Sequence, residues 1–535
     1  CLPKTEFEWQ TSDVGWLQED DYAPEKLIVD SDGKDQGVRL RDINGDGLVD
    51  FIYSKGSDRK TYLNTGNGWS ENSNYQLSEP IIDDDKDLGV RFLDVNGDGL
   101  LDYVRGDGSY KKVYLNTGHN WQLSHSFVLP HSVVSDYNYT YSQCWRCSNY
   151  DKIAQNKPSG MQFAELNGDG LIDIVYGRDN HKKAYLNSGN NWISGNFTFP
   201  INITNKVSGN VTHHHGYQQM GVKIVDINND GLSDIVKALD NEKKTYINKG
   251  NKGNYWQESY NYHLPKSIQT DVYDRNLALN LIDINGDGLL DLLYGKGNEK
   301  SVHLNTGNGW LTKHNFTLPK AILNSDNKDT GIRFKDINSD GLIDILDGAN
   351  TNRKIYLNTG NNWIENYNYQ LPTQTTTSDH KDSGTRFTDL NGDGLIDILQ
   401  SKGNTKTAYL NQGTHTQLTT ITNGFNIKTT LTYQPLTNPS TYQKNATSTH
   451  PNITLQNARQ VISSVTTDNA IDGQNTTTYK YGNAKANLKG RGNLGFGWIE
   501  TKDLQSNKLT RTKYSQIYPF TAQITSTKAY LETNG

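Results

Sequence analysis

One nine-residue phrase constrains this chain more than any other feature. It reads Asp42-Ile-Asn44-Gly-Asp46-Gly-Leu48-Val-Asp50 at its first occurrence. It returns, with few substitutions, from Asp94, Glu165, Asp226, Asp283, Asp336 and Asp389. The intervals are 52, 71, 61, 57, 53 and 53 residues, so the period is near 53, with insertions in the second, third and fourth units. A fixed period of this size marks a unit that buries its apolar face only against copies of itself. A second phrase follows each copy: Tyr62-Leu-Asn-Thr-Gly66, then its equivalents from Tyr114, Tyr185, Tyr246, His303, Tyr356 and Tyr409.

Each unit reads as four short strands. The first is a Gly-Val-Arg-Phe-like segment such as Gly37–Leu40, and the second follows the acidic loop, as in Phe51-Ile-Tyr53. The third carries Tyr-Leu-Asn, and the fourth runs from Trp towards a Leu-Pro, as in Trp310 to Pro319. Alternating β-branched and aromatic residues bounded by Gly, Asn and Asp predict strand, and no segment has helical periodicity. Four strands repeated about every 50 residues predict an all-β, seven-bladed β-propeller. The seventh unit lacks its Trp strand, while Gly15-Trp16 to Pro24 is an orphan at the other end of the chain. Pairing Trp16 with the last blade would close the ring and remove two sheet edges that otherwise invite aggregation. The expected division is residues 1–415 for the ring and 416–535 for a β-rich extension, with blades beginning at about residue 7.

Composition alone misleads. Only 33% of residues are hydrophobic and the mean hydropathy is -0.76, which leans towards disorder, yet 31 Tyr, 13 Phe, 10 Trp and 49 Gly fit short strands and tight turns. The net charge of -6 argues neither for a nucleic-acid binder nor for an acidic tail, and no nucleic-acid partner is expected. No run approaches the ~18 apolar residues of a membrane-spanning helix. With a divalent cation in each acidic loop, the particle would instead carry about +8.

Positions 1, 3, 5 and 9 of the phrase carry side-chain oxygens, and position 7 offers a main-chain carbonyl. This is the donor pattern of a hard cation, and Ca²⁺ takes ~6–8 oxygens in a flexible shell. The candidate ligands are Asp42, Asn44, Asp46, Leu48 and Asp50 in the first copy, and Asp94, Asn96, Asp98, Leu100 and Asp102 in the second. They are Glu165, Asn167, Asp169, Leu171 and Asp173 in the third, and Asp226, Asn228, Asp230, Leu232 and Asp234 in the fourth. The fifth supplies Asp283, Asn285, Asp287, Leu289 and Asp291, the sixth Asp336, Asn338, Asp340, Leu342 and Asp344, and the seventh Asp389, Asn391, Asp393, Leu395 and Asp397. About seven structural Ca²⁺ ions are expected, with Glu165 marking the weakest site and Mg²⁺ disfavoured. The phrase begins like an EF-hand, but position 12 is acidic only at Asp347 and a strand follows. A single Asn-Gly-Asp-Gly is also a good hairpin turn. Seven copies with three carboxylates each call for a cation, because a carboxylate pair ~4 Å apart repels by up to ~4 kcal/mol at an effective dielectric of ~20.

These units resemble the FG-GAP/VCBS repeats of integrin α-type propellers, over about three-quarters of the chain. The resemblance implies calcium held between strands in a structural role. Past Thr414 a second resemblance is carried by Thr432-Tyr-Gln-Pro-Leu-Thr-Asn-Pro-Ser-Thr-Tyr442, Lys489-Gly-Arg-Gly-Asn-Leu-Gly-Phe496 and Trp498-Ile-Glu-Thr-Lys-Asp503. These segments resemble those joining propeller to shell in Tc-toxin B subunits and related Rhs/YD-repeat proteins. Asn493 stands where that family commonly has Phe, which predicts one weakened core contact. The resemblance implies a propeller that docks to, or gates, a large β-shell.

No Gly-x-Ser-x-Gly, His-Glu-x-x-His or phosphate loop is present, so the chain is expected to be non-enzymatic. A calcium-using propeller lyase is a minor alternative. The expected function is a calcium-stabilised binding and assembly module, secreted or at the cell surface, with a protein partner such as a channel or shell subunit on one propeller face. The alternative is an adhesion or glycan-binding propeller. Arg105-Gly106-Asp107 spells an integrin-recognition tripeptide but falls in a Gly/Asp-rich hairpin, where chance explains it. Cys144 and Cys147 suggest a loop-pinning disulfide in preference to redox chemistry or zinc. His213-His214-His215 reads as a solvated loop or a transition-metal site, and Cys1 as a lipidated first residue or an arbitrary start.

Overall fold

In the computed structural model, residues 4–10, 15–135, 157–195, 198–206, 217–250, 255–270, 275–276, 278–314, 316–349, 352–444 and 448–531 are described. Strands dominate, and the described helices are short 3₁₀ turns. Seven four-stranded antiparallel units recur in chain order. In the first, Val38–Arg41, Asp50–Lys55, Asp58–Asn64 and Trp69–Glu71 pair in sequence. The seventh uses Thr385–Thr388, Asp397–Lys402 and Thr405–Asn411, and its fourth strand is Trp16–Gln18 from the other end of the chain. Trp16 lies opposite Asn411, Leu17 opposite Leu410 and Gln18 opposite Tyr409. The Trp16 ring stacks on Tyr369 at 5.1 Å, and its Nε1 donates to the Gln370 main-chain oxygen at 2.9 Å. The fold is the expected seven-bladed propeller, its last blade completed by Trp16–Gln18.

Apolar cores sit between blades. Ile43, Ile52, Tyr75, Leu77, Val90 and Tyr103 form one between blades 1 and 2. Tyr22, Val38, Phe51, Leu390, Leu399 and Leu410 form the equivalent core where blade 7 meets blade 1. The closing seam is therefore packed like the others. The fourth strand is shorter than the sequence predicts: it stops at Glu71, and the 3₁₀ turn Ser73–Tyr75 drops Tyr75 and Leu77 into the inter-blade core. Burying those two side chains between blades outweighs continuing a ladder in which the nearby Pro80 could not donate.

The second body is a nine-stranded sheet running from Leu418–Thr422 to the edge strand Ile524–Leu531. Its other edge is Glu6–Trp9, with Glu6 opposite Thr422, so the strand at residues 6–9 pairs with the extension and the ring's strands begin at Trp16. A small sheet of Asn452–Thr454, Lys485–Asn487 and Gly492–Gly495 completes it. Asn493 is exposed and accepts from the Gly495 amide at 2.8 Å, while its neighbour Leu494 fills the buried position. No core contact depends on residue 493, which corrects the expected weakening.

Candidate metal loops and the belt beneath them

Each acidic loop is wound by two residues with positive φ, such as Gly45 (74°) and Gly47 (86°). Asn229 and Ser339 adopt the same region at 57° and 59°, so the substituted fourth and sixth loops keep the wrap. Position 1 caps it: Asp42 accepts from the Gly45 amide at 2.7 Å and the Gly47 amide at 2.9 Å. Asp46 accepts from the Leu48 amide at 2.9 Å and from Asn44 Nδ2 at 2.8 Å. Glu165 reaches the same amides, Gly168 at 2.7 Å and Gly170 at 2.8 Å, so the longer acid fills the same role.

Position 9 does something the sequence reading missed. Asp50, Asp102, Asp173, Asp234, Asp291, Asp344 and Asp397 are all 0% exposed. One oxygen of each accepts from the position-2 amide of its own loop, at 2.7–3.1 Å. The other accepts from the amide of the Asn that ends the third strand, at 2.7–2.9 Å. The side chain of that Asn then crosses to the preceding blade. Asn116 donates to Ile43 O, Asn187 to Val95 O, Asn248 to Leu166 O, Asn305 to Ile227 O, Asn358 to Ile284 O, Asn411 to Ile337 O, and Asn64 to Leu390 O across the seam, all at 2.6–2.9 Å. Asp, position-2 peptide and Asn thus form a closed belt of buried hydrogen bonds through all seven blades. The signal was present in the sequence: the Asn of Tyr-Leu-Asn is unchanged in every unit, even where His303 replaces the Tyr.

Burial dominates the electrostatics. It pushes the Asp50, Asp102, Asp173 and Asp397 carboxyls up to about 8, with the two belt amides acting in the opposite direction. Burial and then the Asp46 charge raise Asp42 to about 6, and Asp389 is raised to about 6 by burial and Asp393. Among the described residues no loop carboxylate sits in an ion pair, and no three acidic, His or Cys side chains converge as a cation cage. The oxygen-only donors at positions 1, 3 and 5 fit a hard cation by chemistry, although Lys444 beside Asp42 and Asp46 and His415 beside Asp393 already offset part of the charge in loops 1 and 7. Position 9 serves the belt first and offers a cation only its remaining lone pairs.

The extension covers part of the loop face. Lys444 Nζ donates to Gly45 O, Ser448 Oγ to Asp98 O at 3.2 Å, and His450 Nε2 to Asp169 O at 2.8 Å. Thr437 Oγ1 donates to Gly392 O at 2.5 Å, and both His415 and Gln460 reach Asp393 O. Loops 7, 1, 2 and 3 are covered. In loops 4, 5 and 6 the position-5 carboxylates Asp230, Asp287 and Asp340 are exposed.

The Arg105-Gly106-Asp107 tripeptide is buried: Arg105 pairs with Glu79 and packs over Tyr110 at 4.5 Å, so it is not displayed for recognition. The repeated Trp side chains brace strands, as where Trp69 Nε1 donates to Tyr22 O at 3.0 Å and Trp121 Nε1 to Tyr75 O at 2.8 Å. Cys1, Cys144, Cys147 and His213–His215 lie outside the described residues.

Comparison with known families matches FG-GAP-like repeats over residues 42–105, 166–237 and 283–346, and the insecticide toxin TcdB middle/N-terminal region over residues 358–522. No curated protein matches the chain. Among solved structures, a Photorhabdus luminescens Tc holotoxin pore chain is similar at 18% identity, with a TM-score of 0.46, over 97% of this chain and 21% of that one. A TcdB2-TccC3 crystal structure is similar at 15% identity and a TM-score of 0.37, over 97% and 22%. An Agrocybe aegerita lectin that recognises non-reducing terminal N-acetylglucosamine is similar at 16% identity and a TM-score of 0.44, over 61% and 78%. The chain spans about a fifth of the length of the toxin chains it matches. Over the matched residues, the chain is a propeller of FG-GAP-like repeats that runs into a region of the TcdB-toxin middle/N-terminal type.

Proposed function

We propose that this chain is a non-enzymatic assembly module, the calcium-stabilised propeller base of a secreted or surface-exposed Tc/Rhs-like toxin. The observation that carries this reading is continuity across the two bodies. The TcdB-type region begins at the end of blade 6, passes through blade 7 and runs into the extension, whose side chains grip the loops of four blades. Calcium would be held by the side chains at positions 1, 3 and 5 and the carbonyl at position 7, with support from position 9. It would supply the positive charge that the loop carboxylates lack. The partner would be another toxin subunit, a channel or a shell, seated on a propeller face, and nucleic acid is not expected.

Co-purification of this chain with the channel-forming and shell subunits of a Tc toxin, set beside a glycan array, tests the assignment. A stable complex with a toxin subunit and an empty array is the expected result. Array binding by the isolated ring without any subunit complex would replace this reading with the glycan-binding one.

A further inference from the structure

Each inner strand ends one residue before its acidic loop. The residue there is apolar in blades 2 to 5, as Leu93, Ala164, Val225 and Ile282, but polar in three consecutive blades: Lys335 in blade 6, Thr388 in blade 7 and Arg41 in blade 1. Two residues earlier on the same strands stand Arg333, Arg386 and Arg39. All six side chains line one cavity of about 440 Å³.

Its five cations face only two lining carboxylates, Asp35 and Asp382, and both are committed. Asp35 pairs with Arg39 at 2.9 Å and Asp382 with Arg386 at 3.0 Å, and each also accepts from a glycine amide. Arg333 is paired with Asp329 at 2.7 Å. Arg41 donates to the Leu40 main-chain oxygen at 2.7 Å, and among the described residues neither it nor Lys335 has an acidic partner. A half-enclosed concavity with converging like charges focuses an attractive potential for anions. Guanidinium forks already held in place by partners lose little freedom when they receive an oxyanion.

We propose that this cavity binds a small multivalent oxyanion, carrying two or more phosphate or carboxylate charges, with Arg41 and Lys335 as the two uncommitted cations that recognise it. No residue of an acidic loop is among those lining the cavity.

Calorimetric titration of the full chain with inorganic pyrophosphate and, separately, with citrate tests this. Binding of either anion is expected, and the anion that binds tells a phosphate ligand from a carboxylate one. The Arg41→Ala, Lys335→Ala double variant should weaken binding at least tenfold without shifting the melting temperature. Thr388→Glu, which places a carboxylate between the two cations, should weaken it as well. Failure of both anions to bind overturns the proposal. Binding unchanged in the double variant does too, because any heat from cations stripped out of the loops is common to both proteins.

Discussion

The same nine-residue phrase occupies two environments in this molecule. In blades 7, 1, 2 and 3 the extension lies across the loops, whereas in blades 4, 5 and 6 they face solvent. The loops keep their internal bonding in both halves, and so does the belt. What changes is desolvation. Burial raises the position-9 carboxyls in both halves, whereas at position 5 Asp393, Asp46, Asp98 and Asp169 are half-buried under the cover and Asp230, Asp287 and Asp340 are exposed. Seven near-identical phrases in the sequence thus become two classes of loop, and the distinction comes from chain about 400 residues away from the first of them.

The belt should ignore this division. Asn116→Ala in the covered half removes the bonds to Ile43 O and Leu101 O and strips the Gly118 amide of its acceptor. Asn305→Ala in the open half does the same to Ile227 O, Leu290 O and Gly307 N. At about 1 kcal/mol for each carbonyl left unpaired, and little for the glycine amide that water can reach, each substitution should destabilise by about 2 kcal/mol in denaturant unfolding. A large difference between the two would show that the belt is not uniform around the ring.

Glycine substitutions isolate the cover. Gly170 and Gly341 have φ of 80° and 87°, so alanine carries the same left-handed strain at both, about 1–2 kcal/mol. A Cβ at Gly170 would meet Leu488 Cβ at 2.3 Å, while one at Gly341 meets nothing within 4 Å. Gly170→Ala should therefore destabilise by about 2 kcal/mol more than Gly341→Ala, the scale expected of overpacking. Equal losses would mean that the extension does not press on the third loop in solution.

Much of this architecture was legible in the sequence because repetition and turn chemistry are local. The blade count, the strand order and the transfer of Trp16 to the last blade follow from where one phrase is missing and another is orphaned. The belt does not show in the sequence, because a repeated phrase such as Tyr-Leu-Asn looks like a strand end until the preceding blade supplies the carbonyl. Nor does the uneven face show in the phrase itself. Residues 437–444 and 448–460 lie over loops 7, 1, 2 and 3 through tertiary contacts of Thr437, Lys444, Ser448 and His450 that no periodicity encodes. The strand at residues 6–9 read as ring material because it precedes Trp16, yet its partner at residues 418–422 belongs to the other sheet.

Calcium release tests the account most directly, since it probes both the cation and the two loop classes. The chain, loaded with calcium and mixed with excess fluorescent chelator, should release about seven ions, one from each loop. About four should leave slowly, from the covered loops, and about three quickly, from the open ones, and a fall in melting temperature should follow. A chain that holds no calcium and melts unchanged in chelator, or one that releases all its ions in a single phase, would contradict the account.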